Sequence, residues 1–214
     1  MKEKQLRDLR KSYKLNSLIR EDLLDDPKQL MSNWLEDAIS FKDPEPTAMT
    51  LSTVDLDGQA SSRVVLLKDI DDGFVFFTNY HSKKSEDMEA NNKVSLLFHW
   101  KIMERQVRIQ GTVEKVSEET SIEYFDSRPK GSQLGAWASP QSKKIASRNT
   151  LDDRMTELRD VYQGRDSLPK PAHWGGYRVL ANYYEFWQGR DNRLHDRFTF
   201  TFVNDGWEIN RIAP

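Results

Sequence analysis

From Ala48 onward the chain reads as a succession of short strand-like segments joined by tight polar turns, and no other feature restricts its fold as much. Ala48–Val54, Ala60–Lys68 and Phe74–Thr78 are separated by Asp57-Gly58 and Asp72-Gly73, dipeptides that reverse a chain between antiparallel strands. Further β-type segments fall at Val94–Trp100, Gln106–Val116, Gly176–Asn182, Glu185–Gly189, Leu194–Val203 and Trp207–Ile212, the last two joined through Asn204-Asp205-Gly206. Eight or nine such strands with few helices between them predict an antiparallel barrel rather than a parallel α/β sheet. The helical patterns are few and well marked. Asp26-Pro27 opens one whose Leu30, Met31, Trp34, Leu35, Ala38 and Ile39 share a face, and Pro44 and Pro46 stop it. Others are expected over Ser82–Asn91, Ser117–Ser127 and Ser147–Tyr162, and Gly164–Pro171 reads as a loop.

A length of 214 residues fits one domain, 26–214, preceded by a charged and flexible segment over residues 1–25. Aromatic residues at 11%, six of them Trp, argue for a packed globule despite 31% charged residues. The charges nearly cancel, 32 basic against 34 acidic, which argues against a general nucleic-acid binder and against a barrel that stacks single strands in a basic groove. The absence of Cys excludes thiol catalysis, disulfides and Cys-ligated metal, and fits a reducing, cytoplasmic setting. The longest apolar runs, Val64–Leu67 and Phe74–Phe77, fall far short of the ~20 residues that cross a bilayer, so no membrane association is expected. His81, His99, His173 and His195 lack metal-ligand spacing, and no metal is assigned. Phosphate-loop, dinucleotide and nucleophile-elbow signatures are absent.

Candidate chemistry collects in a few cationic clusters. Strand alternation through Arg193-Leu194-His195-Asp196-Arg197 would set Arg193, His195 and Arg197 on one face and Phe198, Phe200 and Phe202 on the other, toward the core. Three cationic groups at period two suit an anionic ligand or electron-rich ring opposite them; the alternative is a solvated face with carboxylate partners. Ser82-Lys83-Lys84 begins a helix, where lysines oppose the helix dipole unless an anion such as phosphate binds; a surface lysine pair is the alternative. Gln141-Ser142-Lys143-Lys144 repeats that chemistry, Ser127–Ser132 is a turn with two cations and two hydroxyls, and Arg63 and Lys68 bracket an apolar strand expected to be buried. Trp187, close to the Arg193 cluster, suits packing against a planar ring.

Glu185–Gly189, Arg193–Arg197 and the ending Trp207–Pro214 resemble the pyridoxine (pyridoxamine) 5'-phosphate oxidase family, and the resemblance runs upstream through Arg63–Lys68, Phe77-Thr78-Asn79, Glu104-Arg105-Gln106, Tyr124–Ser132 and Trp174-Gly175-Gly176. It covers nearly everything from about Pro27 to Pro214. The resemblance implies an FMN-binding split β-barrel, antiparallel and of Greek-key type. It implies a homodimer holding two FMN molecules at the subunit interface, with region 172–214 serving dimerisation and the active site. For FMN it points to Arg63, Val64, Leu67, Lys68, Phe77, Thr78, Lys83, Lys84, Gln106, Gln141, Ser142, Trp187 and Arg197. For the substrate it implies Lys68, Tyr124, Arg128 and Ser132 on the 5'-phosphate, Arg193, Leu194 and His195 over the pyridine ring, and Arg10 and Tyr13 in an N-terminal segment that closes over the site.

The implied reaction is oxidation of the 4' carbon of pyridoxine 5'-phosphate or pyridoxamine 5'-phosphate to the aldehyde, pyridoxal 5'-phosphate. Hydride passes to the flavin and the electrons then pass to dioxygen, giving hydrogen peroxide. Arg193 and His195 would orient the 4' substituent and assist proton removal. The chain departs from the family's usual Tyr at Phe77 and its usual Arg at Lys83, and the second departure loses a bidentate phosphate fork. A reductase or different oxidase on the same fold, or a carrier of flavin or pyridoxal 5'-phosphate, would differ in substrate turnover and peroxide release.

Overall fold

The computed structural model describes residues 11–214. Among them nine strands dominate: β1 (Ala48–Val54), β2 (Ala60–Leu66), β3 (Asp69–Ile70), β4 (Phe74–Asn79), β5 (Lys93–Trp100), β6 (Arg105–Lys115), β7 (Trp174–Gln188), β8 (Asp196–Val203) and β9 (Gly206–Arg211). Five α-helices accompany them: α1 (Pro27–Ser40), α2 (Lys83–Ala90), α3 (Glu118–Ser127), α4 (Lys130–Ala138) and α5 (Asn149–Val161). Hydrogen-bonded neighbours run β2-β1-β5-β6-β7-β4-β3, with β8 on β7 and β9 on β8. The chain forms two compact units that interleave in sequence: residues through Thr50, Leu96–Gln110 and Asn182–Pro214 make the first, Leu51–Ser95 and Gly111–Ala181 the second.

In the first unit, β8 lies antiparallel between the C-terminal half of β7 and β9, with Phe186 opposite Phe198 and Phe200 opposite Ile209. Asn204 and Asp205 both adopt positive φ in the connecting turn, the mirror-image geometry that matches the twist of a hairpin. Helix α1 starts where Asp26 accepts the Lys28 amide at 2.8 Å and Pro27 fills the first turn. Its apolar face buries Leu30, Met31, Trp34 and Ala38, and the Trp34 ring meets Phe186 edge-on at 5.1 Å.

In the second unit, β4 pairs with the N-terminal half of β7, Phe74 opposite Val179 through Asn79 opposite Trp174. Helices α3, α4 and α5 close a separate apolar cluster of Phe125, Leu134, Ala138, Leu158, Leu168 and Trp174. Gln133 ties two of these helices together, its amide donating to the Phe125, Asp126 and Arg128 carbonyls that end α3.

Several expectations are corrected. The two segments expected at Gly176–Asn182 and Glu185–Gly189 are one strand, β7, because the residues between them never lose a partner: β4 serves its first half and β8 its second. Residues Lys130–Ala138 form helix α4 rather than extending a turn, since Pro129 suits a helix start and Leu134 and Ala138 gain burial. Strand β8 begins at Asp196, so Arg193 and His195 are not on it, and Phe202 is 46% exposed whereas Phe198 and Phe200 are buried. Strand β2, read as buried, leaves Val64 65% and Leu66 39% exposed.

Candidate active site

A cavity of about 1030 Å³ opens in the second unit, lined by Arg63, Val64 and Lys68 from β2 and the residues after it, Phe77 and Thr78 from β4, and Lys83 and Lys84 from α2. Tyr124, Arg128, Ser132, Gln141 and Ser142 complete its predicted lining. Leu67 is 4% exposed and packs in the core behind these residues. Sequence reasoning missed Ser61, Asn79, Ser139 and, as a lining residue, Trp174.

Trp174 completes a wall of stacked rings: Phe77 and Tyr124 lie 4.0 Å apart between centroids, and Trp174 is 5.4 Å from Phe77 at an interplanar angle of 11°. The Trp174-Gly175-Gly176 sequence was the available signal, because a Cβ at Gly176 would stand 2.7 Å from the Phe77 ring and force that wall apart. Phe77 needs no hydroxyl for this stacking.

The cations in the cavity fall into two kinds. Lys83 is paired with carboxylates: its ammonium donates to Asp87, which is buried, and to Asp55 at 3.3 Å. Among the described residues Lys84 meets only neutral acceptors, Thr78 Oγ1 and Ser82 Oγ at 3.2 Å each and Gln141 Oε1 at 3.0 Å. Burial first, then the neighbouring Arg63, lowers its pKa from 10.5 to about 8. Arg63 donates to the Leu51 carbonyl, Thr53 and Ser61, with Asp87 at 3.9 Å, and burial pulls its pKa down. Arg128 lies over the Trp174 ring at 4.7 Å, and its Nη1 is buried without a hydrogen-bond partner. Burial lowers its pKa as well. A buried cation that has no carboxylate is costly in the free protein and suits an anionic ligand with several acceptor oxygens.

The remaining predicted residues lie in the first unit. Arg193, His195 and Tyr13 line a second cavity with Lys11, Arg190 and Asn192. Asn192 and Arg193 have φ of 56° and 63°, consecutive left-handed residues; Asn adopts that region readily, whereas Arg does not favour it. His195 Nδ1 accepts the Arg190 amide at 3.1 Å, which fixes the neutral ring with its proton on Nε2. Burial, and then Arg193, lower its pKa, against a smaller opposing pull from Asp196, so the neutral form dominates at pH 7. The Trp187 and His195 ring centroids lie 4.5 Å apart with the planes tilted by 43°, and Tyr13 stands edge-on to Trp187 at 5.7 Å. Leu194 is 69% exposed, Gln106 is half-buried on β6, and Arg197 is paired with Glu185. Arg10 lies outside the described residues.

The Tyr13 segment is tied down by carboxylates that sequence reasoning did not single out. Glu104 Oε2 accepts the amides of Lys14 and Leu15 at 2.9 and 3.1 Å, and Asp196 accepts that of Leu18 at 3.1 Å. Among the described residues no helix is long and apolar enough to cross a membrane.

Residues 35–162 match the pyridoxamine 5'-phosphate oxidase family model, and residues 174–214 match the pyridoxine 5'-phosphate oxidase C-terminal dimerisation region. The chain is 52% identical to a pyridoxine/pyridoxamine 5'-phosphate oxidase of Cupriavidus necator, over 98% of this chain and 99% of that one. It is 51% identical to the Trichormus variabilis protein of the same name, over 97% of each chain. Among solved structures it resembles PhzG from Burkholderia lata, crystallised with tetrahydrophenazine-1-carboxylic acid. That match has a TM-score of 0.87 at 28% identity, covering 94% of this chain and 99% of that one. A Nostoc punctiforme FMN-binding protein related to pyridoxamine 5'-phosphate oxidase shares the fold, with a TM-score of 0.71 at 13% identity over 90% of this chain and all of that one.

Proposed function

The chain belongs to the pyridoxine/pyridoxamine 5'-phosphate oxidase family, and on that premise we propose that it binds FMN and oxidises pyridoxine 5'-phosphate and pyridoxamine 5'-phosphate to pyridoxal 5'-phosphate. The observation that carries this reading is the pair of cations in one cavity, Lys84 and Arg128, buried or half-buried beside an aromatic wall and without carboxylate partners. Two such cations fit two phosphates, one on the cofactor and one on the substrate. Bound FMN supplies a two-electron acceptor that dioxygen re-oxidises, giving hydrogen peroxide; from the amine substrate the oxidised product is an imine, which water hydrolyses to the aldehyde with release of ammonia.

The protein's own residues bind and orient. Lys84, Arg63, Thr78, Gln141 and Ser142 are assigned to the flavin, with Val64, Leu67, Phe77 and Lys83 around them. Lys68, Tyr124, Arg128 and Ser132 are assigned to the substrate phosphate. Holding the substrate by its phosphate removes most of the orientational freedom that would oppose reaction at the 4' carbon. Arg193 and His195 are assigned to the 4' substituent: His195 presents an Nε2–H donor, and Arg193 stabilises negative charge as it develops. Gln106, Trp187 and Arg197 are assigned to the flavin, and Arg10, Tyr13 and Leu194 are assigned to the substrate. A homodimer completes the reading. The exposed Val64 and Leu66 on β2, beside the cavity, supply apolar surface for a second copy. A reducing cytoplasm is the setting that the absence of cysteine favours.

The test is anaerobic addition of pyridoxamine 5'-phosphate to the purified protein while its visible spectrum is recorded. A yellow protein whose flavin band bleaches and returns in air is the expected result. A yellow protein that does not bleach overturns the substrate, and a protein that takes up no FMN overturns the whole reading. Arg193→Ala and His195→Ala are expected to reduce turnover or substrate binding while FMN stays bound; loss of FMN contradicts their assignment.

A further inference from the structure

We propose that Glu185 is a positioning residue that fixes the guanidinium of Arg197 for the flavin, an inference that rests on the functional reading above. Glu185 is the one carboxylate in the apolar stretch Tyr184–Trp187 of β7, and it is 3% exposed. A carboxylate so buried costs several kcal/mol unless cations and hydrogen bonds compensate it, so its retention needs a reason.

The partners of Glu185 supply one. Its Oε1 accepts Arg197 Nε at 2.9 Å and Nη2 at 2.7 Å, which fixes the plane of that guanidinium. Its Oε2 accepts Arg108 Nη2 at 2.5 Å and the Tyr183 hydroxyl at 3.3 Å. The register makes this grip natural: Trp187 is opposite Arg197 and Glu185 opposite Thr199, so Glu185 and Arg197 are diagonal neighbours on one face of the β7–β8 pair. Arg197 Nη1 donates to the Ala213 carbonyl at 2.8 Å. Three of the five guanidinium N–H groups are thereby engaged, and the two others are held in a set direction.

Charge points the same way. One carboxylate faces two guanidinium groups, so the cluster keeps a surplus positive charge. A purely structural ion pair would cancel itself; this one orients a cation and leaves it only partly neutralised, which suits an electron-rich partner. Arg108, half-buried with its Nε lacking a hydrogen-bond partner, is the second cation paired with Glu185.

The experiment titrates FMN into apoprotein, following the quenching of flavin fluorescence, for wild type, Glu185→Gln, Arg108→Gln, Arg197→Lys and the Glu185→Gln/Arg197→Lys double variant. Thermal melts are recorded alongside. Glu185→Gln is expected to raise the FMN Kd about tenfold, the usual scale for a lost charge-assisted contact. Arg108→Gln, which leaves the Glu185–Arg197 pair intact, is expected to lower the melting temperature while changing the FMN Kd less than about threefold. In the Arg197→Lys background, Glu185→Gln is expected to add less than about twofold, because the residue it positions is already gone. If Glu185→Gln does not fold, Glu185→Asp replaces it, with an intermediate loss of affinity expected from the shortened reach. An unchanged FMN Kd in the Glu185 variant, or an equal loss with and without Arg197, overturns the proposal. A wild-type protein that takes up no FMN instead overturns the functional reading, so the two failures are told apart.

Discussion

Lys84→Met tests the central electrostatic claim through the pH dependence of stability. The Lys84 ammonium is buried among neutral acceptors beside Arg63, and its pKa falls from 10.5 to about 8. A folded-state pKa below the unfolded one means that the unfolded chain binds more protons between those values. Stability therefore rises with pH across that window, and the full penalty is present below about 8. One proton of difference gives a slope of about 1.4 kcal/mol per pH unit, so the whole window is worth on the order of 3 kcal/mol. The variant has no such proton. Urea unfolding of the FMN-free proteins should show wild type gaining about 1–2 kcal/mol on Lys84→Met from about pH 7.5 to about pH 9.5. Comparing the two proteins at each pH cancels the titrations they share. With FMN bound, a phosphate dianion keeps the ammonium protonated, and the difference should flatten. A difference that is flat without FMN, or that slopes the other way, refutes the argument.

Arg128→Gln removes a half-buried cation whose Nη1 lacks a partner, so the free protein should keep its stability or gain up to about 1 kcal/mol, while KM for pyridoxamine 5'-phosphate rises about tenfold or more. Melting curves and steady-state rates check both halves. Gly189→Ala would set a Cβ 2.8 Å from Tyr13 Cβ and Cγ, atoms too near the backbone to swing away, so the Tyr13 segment must shift at a cost of about 1–3 kcal/mol. Faster hydrogen exchange at the amides of Lys14, Leu15 and Leu18, which are bonded to Glu104 and Asp196, is the readout. Asp26→Ala deletes the cap of α1 and should cost about 1 kcal/mol, seen as a fall of roughly 2–4 °C in Tm.

What the sequence made legible follows from the range of the forces involved. Turns at Asp57-Gly58 and Asn204-Asp205-Gly206 and the start of α1 at Asp26-Pro27 are set by residues within a few positions, and each lies where the local chemistry put it. The continuity of β7 was not legible, because it depends on two partner strands that approach from different parts of the chain. Nor was the geometry of Arg193 and His195: strand alternation assumes a strand, and two left-handed residues ahead of Asp196 replace it with a tight turn. For the site, residue types marked the cations, but only the fold showed what each one faces. Arg197, expected opposite a ligand, is gripped by Glu185, twelve residues earlier and adjacent only through the β7–β8 register.

The same distinction separates two adjacent lysines. The family resemblance makes Lys83 a weakened substitute for an arginine that would fork onto a phosphate, and so predicts poorer FMN retention. The structure gives Lys83 other employment: its side chain is 52% exposed and its ammonium is shared between Asp87 and Asp55, which raise its pKa. A cation that already holds two carboxylates and faces solvent adds little net field to a ligand, whereas Lys84 has no carboxylate and little solvent. Lys83→Gln should therefore raise the FMN Kd by less than about threefold and Lys84→Met by about tenfold or more, in one titration series at fixed ionic strength. Lys83→Arg should tighten binding by less than about threefold, because Asp87 and Asp55 remain in place to claim the guanidinium. A larger loss at position 83 than at position 84 would mean that the ligand strips Lys83 from its carboxylates, and that ion pairing in the free protein does not decide which lysine binds.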